Sequence, residues 1–211
     1  MTNHWASPQA EEDSTFTCVA KVTVSANPCT QMMLKLDVMQ AATLADVATC
    51  VNHYRMHTPG VFVCVYAEVQ LGGATFVPGL VAQVNRGKFK QCDPGDYDHF
   101  TGPPNFAFDV YHEEQRPEIE RRRKAFEESG VLEYVLWNST ENKPAWLRLV
   151  EGKLVEVPMI DGEFIESTAL PGMRFPVTAF KERNWWSIMS AISYGVTRLP
   201  HHDFMDTIWR K

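Results

Sequence analysis

The chain has little of what usually announces a function. Its five cysteines, Cys18, Cys29, Cys50, Cys64 and Cys92, are odd in number and include no C-x-x-C pair. That disfavours a disulfide framework and a cysteine-based zinc site. Cys64 falls inside an apolar run and reads as core filling. No apolar stretch approaches the roughly 18 residues that a membrane helix needs. The N-terminal stretch MTNHWASPQAEEDST is polar and acidic, unlike a secretion signal. A cytoplasmic protein is therefore expected, with residues 1–14 as a flexible lead-in. Positive charge is short as well: 20 Lys and Arg stand against 26 Asp and Glu, a net −6. Proteins that hold nucleic acid through its phosphates usually carry a basic face. The balance counts against tight DNA binding, leaves room for a local basic groove, and fits a small-molecule or protein partner equally well. A glycine-rich phosphate loop, a G-x-S-x-G elbow and H-E-x-x-H are also missing.

What is present suits a globular chain. Its 211 residues are 45% hydrophobic and 22% charged, enough for one domain with a full core. Residues 18–25 (CVAKVTVS) alternate as a half-buried strand does, and residues 33–38 alternate too, though they could open a helix. From Thr43, a candidate N-cap, Leu44, Val47, Val51 and Tyr54 recur at helical spacing. Pro59-Gly60 closes that helix. Residues 61–71 read as one long strand and 75–84 as a second, interrupted at Pro78-Gly79. Gly72-Gly73 supplies the turn between them, and 85–105 has loop chemistry.

The segment FAFDVYHEEQRPEIERRRKAFEESG, 106–130, is the most informative. Phe106, Phe108 and Val110 point to one side of a strand, and Ala107, Asp109 and Tyr111 to the other. Apolar residues on both sides imply a central strand. Pro117 suits the first turn of the helix that follows, and Gly130 suits its C-cap. A strand over 131–138 completes a β-α-β unit with parallel pairing. Residues 145–172 read as short strands turning at Glu151-Gly152 and Asp161-Gly162, added as hairpins to the sheet edge. The expected fold is α/β, a mixed central sheet flanked by helices with C-terminal β-hairpins. The expected division is a domain over 15–180 and a helical tail over 181–211. In that tail Trp185, Ile188, Met189 and Ile192 share a face that packs on the core or on a second subunit.

Asp109 carries the chemical question. A fully buried Asp needs a partner, because an isolated buried charge costs several kcal/mol even after relaxation. A metal, a cation or a helix start could meet it. With Ile119 set at zero on a helical wheel, Arg122 lies at about −60° and Arg123 at about +40°, while Lys124 lies at about 140°, facing water. Arg122 and Arg123 therefore flank the side that faces the sheet. An Asp–Arg pair that orients the helix is the plain expectation.

Taken in order, VPGLVAQV, FAFDV, RRRKAFEESG, GVLEYVLW and ALPGMRF resemble the Uma-type family of restriction-endonuclease-like proteins, a branch of the PD-(D/E)XK nuclease superfamily. The resemblance runs over 43–180 and implies a restriction-endonuclease-like fold. It also implies Mg²⁺-dependent hydrolysis of DNA phosphodiesters, with two acids holding the metal and a lysine stabilising charge. The catalytic motif is degraded here. The aspartate of the family's Pro-Asp strand falls on Gly79, its strand glutamate on Asp109, and its helix lysine on Arg122 or Arg123. Arginine stays protonated, so it can clamp a phosphate but cannot act as a base. A Mg²⁺ site would need a further acid, for which Glu68 and Glu113 are candidates. The resulting expectation is an endonuclease-like protein with weak or absent activity, or a non-catalytic binding or assembly module on the same fold. DNA and a second copy of the chain are the partners that the resemblance implies.

A third reading is a zinc-dependent hydrolase using His53 and His57, four apart on the first helix, although Tyr54 stands where H-E-x-x-H has its Glu. The acidic cluster over 93–98 lacks EF-hand spacing and reads as a polar loop. His201, His202 and Asp203 read as a surface tail, and the charges around Arg121–Lys124 as solvated i,i+4 pairs.

Overall fold

The computed structural model describes residues 32–93 and 98–209. The expected strand over 18–25, the lead-in over 1–14, Cys18, Cys29 and residues 94–97 of the acidic cluster lie outside them. After a short strand, β1 (Met32–Met33), comes a long helix, α1 (Val38–Met56). Asp37 caps it. Its carboxylate accepts the Gln40 N–H at 2.8 Å, and the Gln40 side chain accepts the Asp37 N–H at 3.0 Å. This reciprocal box satisfies two donors that a helix start otherwise leaves unpaired. Thr43 is therefore not the cap. It lies inside the helix, and its hydroxyl donates to the Met39 carbonyl at 2.9 Å. Leu44, Val47, Val51 and Tyr54 are all buried, as their spacing predicts.

The two long strands expected next are both broken. β2 (Val61–Val65) and β3 (Val69–Leu71) part at Tyr66, whose φ is 51°. β4 (Ala74–Val77) and β5 (Leu80–Val84) part at Pro78-Gly79. The breaks meet, with the Tyr66 N–H donating to the Gly79 carbonyl at 3.1 Å. Pro78 has no N–H for a ladder, so the hairpin bends there and its tip enters a second sheet. β6 (Phe100–Thr101) joins that tip within the expected loop.

β7 (Phe106–Tyr111), α2 (Arg116–Ser129) and β8 (Glu133–Asn138) form the β-α-β unit, and β7 and β8 pair in parallel. Gly130 closes α2 in a left-handed conformation, φ 91°. β9 (Lys143–Val150) and β10 (Lys153–Glu156) extend the sheet edge as a hairpin. β11 (Phe164–Glu166) and β12 (Arg174–Pro176) pair only with each other, so this second hairpin is not an edge addition. Three helices follow: α3 (Val177–Lys181), α4 (Trp185–Gly195) and α5 (Leu199–Trp209).

The six-stranded sheet runs β10-β9-β8-β7-β5-β2, and the smaller sheet β1-β4-β3-β6. Each face of the larger sheet carries its own core. Phe106, Phe108 and Val110 pack with α1 residues and with Ile188 and Ile192 of α4. Ala107 and Tyr111 pack on the other face with Ile119 and Phe126 of α2 and with Val69 and Phe76 of the smaller sheet. Fully burying such side chains is worth about 1.5–3 kcal/mol each. The fold is thus α/β, a mixed central sheet flanked by helices. Asp109 projects from the middle of β7 into the core beneath α2. Among the described residues no helix is long and apolar enough to cross a membrane.

Candidate functional site

Asp109 is 1% exposed, and three donors close its carboxylate. Oδ1 accepts the Gly79 N–H at 2.8 Å. Oδ2 accepts Arg122 Nη1 at 2.7 Å and the Tyr134 hydroxyl at 2.6 Å. The elements explain the meeting. β5 and β8 flank β7, the Pro78-Gly79 break frees the Gly79 N–H from the ladder, and α2 lays its apolar stripe on the same face. Arg122 rides beside Ile119 and Phe126 and is fully buried. Burial alone would lower the pKa of its guanidinium, but Asp109 and Tyr134 outweigh that and raise it. Burial, and then the Asp109 carboxylate, push the Tyr134 hydroxyl well above its ordinary range. The cluster is therefore a carboxylate, a guanidinium and a neutral phenol in a dry core.

The other candidate residues lie elsewhere. The Arg123 side chain is 36% exposed, and its guanidinium reaches Glu120 and the Leu154 carbonyl at 3.1 Å, so it does not join Asp109. The turn between β7 and α2 carries Glu113, which is exposed and binds Arg116 and Asn138. Glu68 is half-buried in the break between β2 and β3. Lys124 faces water, as expected, at 76% exposure.

These positions bear on the Mg²⁺ ion that the resemblance implies. Such an ion is held by one or two carboxylates and keeps several waters. Here one carboxylate is turned toward a cation and two neutral donors. A Cβ at Gly79 would lie 3.6 Å from Asp109 Oδ1 but only 3.1 Å from the Phe108 carbonyl oxygen and 3.2 Å from Leu44, so the position is tight, and glycine supplies no second acid. No group of three metal-binding side chains occurs among the described residues. The donor set does not fit a hydrated Mg²⁺ ion. Among the described residues the zinc reading also lacks a third ligand. His53 and His57 meet edge to face with ring centroids 5.0 Å apart, and His53 Nε2 meets Ser193 Oγ at 2.9 Å. His201 is not a surface residue. It is buried against Thr58, with Nε2 2.9 Å from Oγ1, and burial lowers its pKa.

Two clusters went unseen in the sequence. Glu133, in the GVLEY stretch, is fully buried and accepts bonds from Arg148, Ser167 and Thr168. Its position in a run of apolar strand residues was the available signal, the same one that singled out Asp109. The second joins the ends of β7 and β8 to the α1 cap. Asp37 binds His112 Nε2, and His112 Nδ1 lies 2.8 Å from Ser139 Oγ. The Ser139 hydroxyl donates to the Tyr111 carbonyl at 2.9 Å, so its proton is used within the fold. No spacing rule links residues so far apart in sequence.

The LPG stretch also has a packing role. Gly172 is left-handed, φ 91°, and a Cβ there would stand 2.6 Å from the Cβ of His201.

Comparisons with known proteins place this geometry in a fold. No family model matches the sequence, and no curated protein does either. Among solved structures, the chain is similar to a DUF820 protein from Anabaena variabilis ATCC 29413, described as a candidate nuclease. The TM-score is 0.55 over 72% of this chain and 84% of that one, at 9% sequence identity. This likeness is one of fold.

Proposed function

We propose that the chain is a non-catalytic binding or assembly module built on a restriction-endonuclease-like fold. In this reading Asp109 and Arg122 form a structural ion pair where active relatives would hold a metal. One observation carries it: three protein donors, one of them a buried guanidinium, engage both oxygens of the Asp109 carboxylate. A divalent cation entering there would have to displace Arg122 and then face it as a like charge at close range in a medium of low dielectric. Arg122 also cannot serve as a general base in the place of the family's lysine, because it stays protonated. The fold's likeness to a candidate nuclease supports kinship with nucleases, and the donor set supports the loss of their chemistry.

Calorimetry with Mg²⁺ and Mn²⁺, paired with cleavage of supercoiled plasmid from pH 6 to 9, tests the reading. The expected outcome is no saturable heat and no cleavage above that of an Asp109→Asn control. Metal binding that disappears in Asp109→Asn, or metal-dependent cutting lost with it, would establish the endonuclease reading instead.

A further inference from the structure

The two outer strands of the six-stranded sheet, β10 and β2, are finished differently. An outer strand turns alternate N–H and C=O groups away from the sheet, where they template pairing with another chain. On β10 the outward residue is Leu154, and α2 closes both of its groups. Its N–H donates to the Glu127 carboxylate at 2.7 Å, and its carbonyl accepts Arg123 at 3.1 Å. Lys153 and Glu156 add charge to that edge. β2 has neither device. The Asn85 N–H donates to the Gly60 carbonyl and the Tyr66 N–H to the Gly79 carbonyl. In the β2–β5 register those bonds put the even-numbered residues into the hydrogen-bonded pairs. Val61, Val63 and Val65 therefore turn their backbone groups outward. The Val61 N–H is taken by the Thr58 carbonyl at 3.1 Å. Among the described residues nothing bonds the Val61 carbonyl or the outward groups of Val63 and Val65. The strand reads VFVCV, without charge or proline, and Phe62, Val65 and Tyr66 are exposed along it.

We propose that β2 pairs with β2 of a second copy of the chain, antiparallel about a two-fold axis at Val63, so that two six-stranded sheets become one. Alternating donors and acceptors at this spacing are met by an extended chain, and the register is self-complementary. Val63 faces Val63 of the second copy and exchanges both of its bonds with it. The Val65 N–H donates to the Val61 carbonyl of the second copy, and the axis repeats that bond. Phe62 then covers Cys64 of the second copy on one face, and Val65 covers Val61 on the other. A two-fold contact needs one patch that complements itself, and an uncharged strand meets its copy without like-charge opposition. The other outer strands are poorer partners. β10 is capped, β1 and β6 are two residues long, and β11 and β12 are three residues long and carry Glu166 and Arg174. The inference stands apart from the nuclease question, since β2 shares no residue with the Asp109 cluster.

Sedimentation velocity on the full chain, from about 1 μM to about 1 mM, reads the association. The wild type is expected to form dimers reversibly within that range. Val63→Pro removes the outward donor and spares the β5 ladder, in which that N–H takes no part. It should stay monomeric, with the circular dichroism of the wild type. Val63→Ala keeps the donor and should still dimerise. A second measurement does not depend on how well proline is tolerated. Hydrogen-bonded antiparallel residues have Cα atoms about 5.5 Å apart, within the span of a disulfide. Val63→Cys, combined with Cys64→Ser to remove the neighbouring thiol, should give on air oxidation a dimer linked through position 63 to itself, identified by peptide mapping. The proposal is overturned by a wild type that stays monomeric throughout the series, which would leave the edge to an extended segment of another protein. A dimer that persists in a folded Val63→Pro variant, or one that never cross-links through position 63, would overturn it as well.

Discussion

Asp109 and Glu133 stand on adjacent parallel strands and point into opposite cores. Each is buried, and each is satisfied by one arginine, at least one hydroxyl and a backbone N–H. The fold has thus met one electrostatic problem in the same way twice, so an acid facing an arginine is not by itself a mark of nuclease chemistry. The difference lies in the arginine. Arg122 comes from α2 and is wholly dry, while the Arg148 side chain, from the neighbouring strand, keeps 25% of its surface in water and also binds the Glu166 carbonyl. A dry guanidinium depends on its carboxylate, whereas a partly wet one has solvent to fall back on.

The contrast predicts a graded series. Arg122→Met strands the Asp109 charge in the core and should cost about 3–5 kcal/mol in urea unfolding. Arg148→Met leaves Glu133 with its bonds from Ser167 and Thr168 and should cost less, about 1–2 kcal/mol. Equal losses would erase the distinction between the two clusters. The smallest effect belongs to an exposed acid, Asp37, whose pKa is lowered by the Gln40 N–H and then by His112. A depressed carboxylate contributes stability above its unfolded pKa and loses it as pH falls through the folded value. Asp37→Asn, which keeps a capping oxygen, should therefore flatten the loss of stability below about pH 4. An unchanged acid limb would show that the cap does not couple to pH.

The sequence was most legible where one short-range rule decides the outcome. The β7–α2–β8 unit followed from alternation, Pro117 and Gly130, and the helical wheel placed Arg122 on the side facing the sheet. The wheel left Arg123 equally eligible, because a 100° step cannot say on which flank a neighbouring strand ends. Here β10 takes Arg123 through the Leu154 carbonyl. The broken strands were half visible. Pro78 signalled one interruption, but nothing in VFVCVYAEVQL marks Tyr66 as left-handed, because the partner hairpin imposes that bend. Alternation over 33–38 hid the Asp37–Gln40 box. His201 was misplaced because its burial depends on Gly172 and Thr58, both distant in sequence. As for the site, the acid and its arginine could be read, but Tyr134 and the Gly79 N–H, which complete it, could not.

The central claim is that Asp109 and Arg122 exist for each other. A double-mutant cycle in urea measures this most directly, using Asp109→Leu, Arg122→Met and the two together. The account predicts that either change alone is severe and that the double variant loses clearly less than the sum of the two, because it strands no charge, although the Gly79 N–H and the Tyr134 hydroxyl still lose their acceptor. Additive losses in the double variant, with stability of the wild type rising on addition of Mg²⁺ or Mn²⁺, would contradict it and return the site to a metal.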